Sequence, residues 1–541
     1  MRKKRILMVG EHNIAKSGFG LYTREILSRL HNTGKYEIAE LSCFNPGMEA
    51  SNVPWKVYPN APNGNDPKAK ELNKHYNSDP ENVFGKWRFD QVCIHFKPDI
   101  VFDIRDFWML HFEETSLLRP YFHWVVAPTV DSLPQKNAWM QTFSNADVAL
   151  AHTDWAVNYM KNSPYKINAE YSVSDSVDPD VFKPVNFSPL FNRANHLIPN
   201  PDKAFIIGSV MRNQKRKLFP NLLGVIKNLK VLTKNPNIYL YLHTSYPEKQ
   251  GWSIPELLLE YGVYNNVLFT YYCPNCKKAC ALNYQGANTV CPFCKQKTAG
   301  FPNVVRGLTD NQLKNIYNMF DVYVQYAICE GLGIPQLEAA ACGIPVMSVD
   351  YSAMSEVTTK LETTKIPYAV FKELETGAFR AVPDDVALIK SIYKYLELSP
   401  EQVKERKENI RAKLLENYNW DKTAKRYEEL FDRLEPKNMW DTPLTIDPSA
   451  KVPEGCSHRE FVSFIIKNVI QSPHLLRTNF TQQMIKHLDH GYVNTGGNIA
   501  NYDRSQAKRV LESLLNHKAL LEKLRTGKAG DSSEFLHYDG K

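Results

Sequence analysis

Residues 327–346 read AICEGLGIPQLEAAACGIPV, and the reading of this stretch decides the fold. An apolar strand pattern ends near Tyr326, a glycine-rich turn follows, and Pro335 stands where the first turn of a helix should be. Gly331 and Gly333 let the backbone come close to a ligand. The helix behind the turn directs unpaired N–H groups and the positive end of its dipole at whatever binds there. That suits an anion such as a diphosphate. Glu330 lies before the turn and Glu338 one turn inside the helix, with seven residues between them. Two carboxylates so placed offer hydrogen-bond acceptors for diols.

Outward from this turn, short β-rich runs alternate with helical patterns. Residues 6–9, 37–41, 99–103, 124–127 and 148–151 are predicted strands, most of them apolar on both faces. After Gly20, Tyr22, Ile26, Leu27 and Leu30 recur at helix spacing. Such alternation indicates a parallel sheet covered on both sides. Five prolines (Pro179, Pro184, Pro189, Pro199 and Pro201) mark an interdomain linker. The alternation resumes with predicted strands at 205–211, 238–243, 267–272, 322–326 and 345–349. The fold class is therefore α/β, with two doubly wound, Rossmann-like halves facing a cleft at the carboxyl ends of their strands. After about Leu434 the rhythm stops. Residues 436–541 carry mostly helical pattern (461–470 and 506–524) and read as a helical C-terminal extension. Residues 60–80 are polar and read as a long surface loop.

At 541 residues, 43% hydrophobic and 23% charged, the chain is globular and large enough for two or three domains. No stretch approaches eighteen uninterrupted apolar residues, so no transmembrane segment is predicted. The N-terminus is basic, but its apolar run, 6–9, is too short for a signal peptide, and a cytoplasmic location is the expectation. The net charge of +8, from 66 basic and 58 acidic residues, suits an anionic substrate, a nucleic acid or a membrane surface without selecting among them.

Of the ten cysteines, five fall between Cys273 and Cys294. Cys273-Pro274-Asn275-Cys276 and Cys291-Pro292-Phe293-Cys294 are two knuckles fourteen residues apart. Each knuckle can place two thiolates on one ion, so together they predict a closed structural zinc site in a zinc-ribbon insert over 271–300. Cys280 is left over. Four filled sulfur positions make a catalytic role for this zinc unlike the chemistry of open sites. Lys277, Lys278, Lys295 and Lys297 make the ribbon basic, which suits an acceptor-gripping or nucleic-acid-binding module as well as a plain loop staple.

The 327–346 segment resembles the E-x7-E signature of retaining GT-B glycosyltransferases of family four (glycosyl transferases group 1). LTDNQLKNIYNMFDVYV before it (308–324) and MSVDYSAMSEV after it (347–357) are similar to the family's flanking blocks. So are VDPDVFKP (177–184) at the junction between domains, and the strand-and-loop Gly208-Ser209-Val210-Met211-Arg212 followed by Lys217. The glycine loop Ser17-Gly18-Phe19-Gly20 and the closing segment 417–420 complete the resemblance, which covers roughly residues 1–434. It implies an N-terminal acceptor domain over 1–184, a nucleotide-sugar domain over 185–415 and a helix crossing back over 416–435.

By this resemblance, Glu330 holds the donor sugar's hydroxyls and Glu338 the ribose of a UDP- or GDP-linked sugar. Arg212 and Lys217 meet the diphosphate, with Gly18, Gly20 and the backbone of Gly331, Leu332 and Gly333 close to the donor. No bridging metal is implied, because fixed cations and a helix end take its place. Many family members carry a histidine in the loop after the fourth N-domain strand. Here that loop reads APTVDSLP (127–134), and Asp131 is the candidate polar contact in its stead. One of Asp103, Arg105 and Asp106 is a candidate contact to acceptor. The implied activity is transfer of a sugar to an acceptor hydroxyl, of a glycan in the first reading. In the alternatives the acceptor is a hydroxymethylated base in DNA, or the chain is a non-catalytic nucleic-acid-binding protein. Oligomeric state is left open.

Overall fold

The computed structural model describes residues 2–440 apart from 16, 46–52, 117, 304–306 and 439. The helical patterns at 461–470 and 506–524, and with them the C-terminal extension, lie outside the described residues.

The first half is a seven-stranded sheet of β1 (Lys4–Glu11), β2 (Tyr36–Cys43), β3 (Lys56–Pro59), β4 (Ile100–Asp103), β5 (His123–Val126), β6 (Val148–Ala151) and β7 (Ala169–Ser172), in the order β3-β2-β1-β4-β5-β6-β7. All its pairings are parallel; Ile6 of β1, for example, sits between Ile38 of β2 and Ile100 of β4. Most of its strands are apolar on both faces because both faces are covered. Ile6, Leu7, Met8 and Val9 are all fully buried, and Tyr22, Ile26, Leu27 and Leu30 of the helix Gly18–Asn32 close one side.

The second half contains β8 (Phe205–Val210), β9 (Ile238–His243), β10 (Val267–Cys273), β11 (Lys278–Leu282), β12 (Asn288–Thr289), β13 (Ala299–Gly300), β14 (Val322–Gln325), β15 (Val346–Val349) and β16 (Thr364–Ile366). Its order is β12-β13-β10-β9-β8-β14-β15-β16, with β11 also on β10. The path reverses direction at β1/β4 in the first sheet and at β8/β14 in the second. At such a switch point neighbouring loops leave the strands in opposite directions and open a crevice, which is where ligands bind in this architecture.

The predicted strands at 148–151 and 238–243 have their observed bounds, and eight others shift by one or two residues. Residues 60–80 are not loop throughout, since Ala69–Tyr76 is a helix. It buries no residue, so the sequence lacks the apolar stripe by which helices are recognised. A hairpin of β17 (Tyr368–Lys372), all exposed, and β18 (Phe379–Pro383), which buries Arg380, Ala381 and Pro383, follows β16 and has no counterpart in the sequence reading.

Two helices close the described chain. Pro400–Asn417 lies on the second half, with Arg411 donating to the carbonyls of Phe182, Ala341 and Pro179. Trp420–Arg433 lies on the first half: Trp420 meets Tyr22 edge-on at 5.2 Å, Arg29 pairs with Asp421 at 2.6 Å, and Lys4 donates to the Phe431 and Asp432 carbonyls. The halves also touch directly, for Glu356 accepts from the main-chain N–H groups of Asp154 and Trp155 at the start of a first-half helix.

Candidate active site at the β8/β14 switch point

β14 ends at Gln325, and the chain runs through Glu330 and the glycine turn into the helix Ile334–Ala341. Gly333 caps this helix at φ +88°, a conformation that strains any residue with a Cβ. Gly331 meets the first half of the chain so closely that a Cβ on it would lie 2.3 Å from Thr129 Cγ2. Gly18 approaches the same turn from another side, its Cβ position 3.0 Å from Ile334 Cδ1. Gly20 is fixed by its own loop, where a Cβ would strike the His12 and Ala15 carbonyls, and its N–H is capped by Ser17. Leu332 is buried at the turn and its carbonyl accepts from Gln336 at 2.7 Å.

Glu330 is 5% exposed and fully engaged. Its Oε1 accepts from Lys217 Nζ and from Gln325 Nε2 (2.8 Å), and its Oε2 from Arg216 Nη1 (2.7 Å). The cause is a local backbone pairing in which 216–218 run antiparallel to 326–328. Leu218 N–H donates to the Tyr326 carbonyl and Ile328 N–H to the Arg216 carbonyl. Both cations are thereby held at one carboxylate. Burial pushes the Lys217 ammonium toward its neutral form, and the Arg216 guanidinium adds to the effect.

Arg212 stands apart from this cluster. It pairs with Glu248 at 3.1 Å, and its side chain is 60% exposed. The cation that shares Glu330 with Lys217 is Arg216, which sequence reasoning did not single out. In the run Lys215-Arg216-Lys217 only the pairing with 326–328 tells which side chains turn inward.

Glu338 accepts from the Tyr317 hydroxyl at 2.6 Å. Burial pushes its carboxyl up to about 7, the Tyr317 hydrogen bond opposing and Asp310 assisting. Tyr317 and Asp310 lie on the helix Asp310–Tyr317, whose start is fixed by a reciprocal capping box between Thr309 and Gln312.

Asp131 faces the turn from the loop after β5. It accepts from Arg380 Nη1 (3.0 Å) and Ser132 Oγ (2.8 Å), and the Cys329 thiol lies 3.2 Å from its Oδ2. Arg380, on β18, also donates to Glu373 (2.8 Å) and meets Cys329 Sγ at 2.9 Å. Next to it, the Phe379 N–H donates to the Leu133 carbonyl and the Ala381 N–H to the Ile328 carbonyl. The hairpin is thus strapped across the two halves beside Glu330. Arg380 and Gln325 carried no motif in the sequence.

Of the strand-end trio, Asp103 and Arg105 are paired with one another and with Glu113, all three buried, and this network is structural. Asp106 takes no part in that network and is half-buried. Burial pushes it up to about 6, with Thr129 beside it and Asp131, His152 and Arg216 in electrostatic reach. His123 is satisfied by the Glu435 carbonyl at 2.7 Å.

The four knuckle cysteines converge. Their sulfurs all lie within 4.8 Å of one another, with Cys273–Cys294 and Cys276–Cys291 at 3.6 Å. Four sulfurs at about 2.3 Å from a tetrahedral zinc stand roughly 3.8 Å apart, so the set fits a closed site. β10 continues out of the parallel sheet into this unit, pairing Cys273 with Lys278 of β11 and Tyr272 with Gly300 of β13. Cys280 is outside the cluster and buried, its thiol toward the Tyr271 carbonyl. The unit also touches the Asp310–Tyr317 helix, where Gln312 donates to the Lys277 carbonyl at 2.7 Å.

Two Rossmann-like sheets facing a cleft, with a glycine turn into a helix at a switch point, define the GT-B class of fold. Residues 302–413 match the family model described as Glycosyl transferases group 1, so the chain carries a domain of that kind around the turn. No curated relative matches the chain in sequence. Among solved structures it is similar to sucrose-phosphate synthase from Thermosynechococcus elongatus, at 16% identity and TM-score 0.55 over 80% of this chain and 99% of that one. It is similar to a glycosyltransferase from Rickettsia africae, at 14% identity and TM-score 0.54 over 81% and 100%. It is also similar to HepE of Anabaena in complex with UDP and glucose, at 13% identity and TM-score 0.53 over 79% and 99%. At these identities the likeness is one of fold. Among the described residues, no helix is long and apolar enough to cross a membrane.

Proposed function

We propose that the chain transfers a sugar from a UDP- or GDP-linked donor to a hydroxyl of an acceptor glycan, with retention at the anomeric carbon. The observation that carries this reading is Glu330, held by Arg216, Lys217 and Gln325 at a glycine turn that opens a helix. A carboxylate in that place can accept from sugar hydroxyls, while the N–H groups of Gly331, Leu332 and Gly333 face a diphosphate. Glu338 accepts from the ribose. Lys217, already paired with Glu330, gains a second anionic partner when the diphosphate arrives. Arg212 can join it, because an exposed ion pair such as Arg212–Glu248 is worth only about 0–1 kcal/mol and is readily exchanged. In the transfer the bond from the anomeric carbon to the diphosphate oxygen breaks, the acceptor oxygen takes its place, and the hydroxyl proton goes to the departing phosphate. Cations that meet charge as it develops lower the barrier without a bridging metal.

UDP is favoured as the nucleotide by the UDP and glucose recorded with HepE. The four cysteines hold a structural zinc, whose part is to fold the ribbon. DNA as acceptor rests on the basic excess of the chain, its C-terminal extension and the four exposed ribbon lysines, Lys277, Lys278, Lys295 and Lys297, and is the less favoured reading. The test is a thermal-shift panel of UDP- and GDP-sugars. At least one should raise the melting temperature as donor concentration passes its Kd, and no shift with any of them would overturn the reading.

A further inference from the structure

Across the cleft from the glycine turn, successive strands of the first sheet end in polar groups: Asp106 after β4, Asp131 after β5, His152 directly after β6 and Asp175 after β7. The carboxyl edge of a doubly wound sheet is where its ligands sit. His152 is only 5% exposed, and its ring is held by two neighbours. Nδ1 lies 2.7 Å from Asp175 Oδ2, and the Tyr22 ring packs edge-on at 6.0 Å. The His152 carbonyl accepts from Ser174, and Thr153 caps the helix that follows. The remaining ring nitrogen, Nε2, is buried and has no hydrogen-bond partner among the described residues.

A buried ring nitrogen without a partner is costly, and such groups in native proteins usually have a reason. Asp175 supplies the first half of one. A carboxylate on Nδ1 fixes the proton there, so Nε2 of the neutral ring presents a lone pair. A lone pair is satisfied by a hydroxyl or another donor, not by a phosphate oxygen. Asp106 lies in electrostatic reach of both His152 and Arg216, and Arg216 holds Glu330. His152 thus stands on the same carboxyl edge of the first sheet as Thr129, which lies against Gly331 of the donor turn.

We propose that His152 Nε2 accepts the hydrogen bond of the acceptor hydroxyl, that Asp106 is the second polar wall of this acceptor subsite, and that Asp175 is a positioning residue acting through His152. The inference rests on the transferase reading above. It concerns binding: the single proton of that hydroxyl rests on Nε2 in the bound complex and turns to the departing phosphate oxygen as the bond to the diphosphate breaks, so the bonds made and broken in the transfer are unchanged.

A pH signature follows. The groups facing the ring are Asp175 and Asp106, with Tyr22 packed on it and Tyr427 and Arg426 in reach of Tyr22. Burial lowers the His152 pKa, but the two carboxylates outweigh it and raise it above the ordinary histidine value. An imidazolium has no lone pair, so below that pKa the subsite loses its acceptor. Asp175→Asn removes an anion that favours the imidazolium and moves this acid limb to lower pH.

The experiment uses the full chain and, as donor, whichever of UDP-glucose, UDP-galactose, UDP-N-acetylglucosamine or GDP-mannose raises its melting temperature most. Hydrolysis, in which water stands in for the acceptor hydroxyl, is followed at saturating donor across pH 5–9. His152→Phe should lower the rate at least tenfold while the melting-temperature shift induced by that donor's nucleoside diphosphate, UDP or GDP, persists. His152→Gln, which restores a hydrogen-bonding group, should recover part of the rate. Asp175→Asn should displace the acid limb downward by about one pH unit. If His152→Phe does not fold, the Asp175→Asn profile and His152→Gln decide the matter alone. Wild-type rates and an unmoved acid limb with that shift intact would overturn the subsite and spare the transferase reading. Absence of any nucleotide shift in the wild type would instead overturn that reading, and the subsite with it.

Discussion

Glu330 is the residue on which the proposed chemistry converges, and its replacement gives the sharpest single-residue test. Glu330→Ala removes the acceptor for sugar hydroxyls and leaves Lys217 and Arg216 without their shared partner, so turnover should fall to background in a donor-consumption assay. Lys217→Ala and Arg216→Ala should each lower kcat by about 10²–10³, the range for losing one group that meets developing charge. Glu338 predicts a pH dependence. Its carboxyl is pushed up to about 7, while a ribose diol binds the ionised form, so the donor KM should rise about tenfold per pH unit below 7. Glu338→Gln should flatten that slope, and a donor KM constant from pH 5 to 8 in the wild type would contradict the assignment. The sequence placed both glutamates, because a strand, two glycines and a proline leave few ways to arrange them. Arg216 was not legible. Which of three consecutive cations turns inward depends on a pairing with 326–328, more than a hundred residues away in sequence.

Elements were legible where their burial left a continuous mark on the sequence. Strands buried on both faces read as unbroken apolar runs, and the knuckle cysteines by their spacing alone. The Ala69–Tyr76 helix and the β17/β18 hairpin were not, since neither carries a periodic apolar face; all five residues of β17 are exposed. The hairpin makes a prediction through Arg380, whose side chain is 8% exposed and joins Asp131, Ser132 and Glu373 across the two halves. Arg380→Ala should destabilise the protein by about 1–3 kcal/mol in denaturant unfolding, because it takes the shared cation from two half-buried carboxylates, Asp131 and Glu373, and from the buried Ser132. A loss equal to that of an exposed control pair such as Lys404–Glu408 would mean the strap contributes nothing. For the ribbon, elemental analysis should find about one zinc per chain and Cys291→Ser should release it. A full complement of metal in that variant would contradict the four-thiolate site.

On the scale of the whole molecule, the site exists only where two separately folded sheets meet. Thr129 and Gly18 from one half close on Gly331 and Ile334 from the other, and the helix Trp420–Arg433 ties the chain back to its first sheet. Trp420 is buried against Tyr22, and Trp420→Ala should cost about 3–5 kcal/mol of stability by chemical denaturation. The doubly wound architecture was legible because the apolar strand rhythm stops and restarts around a proline-rich junction. The closeness of the halves was not, for no local pattern encodes a contact between residues 129 and 331. The central claim, that this junction cleaves a nucleotide sugar at Glu330, is tested most directly by nucleoside diphosphate release from a panel of UDP- and GDP-sugars, comparing the wild type with Glu330→Ala at matched folded concentration. The account predicts release from at least one donor by the wild type and none above background by the variant. Equal release by both proteins, or no release by the wild type from any donor, would contradict it.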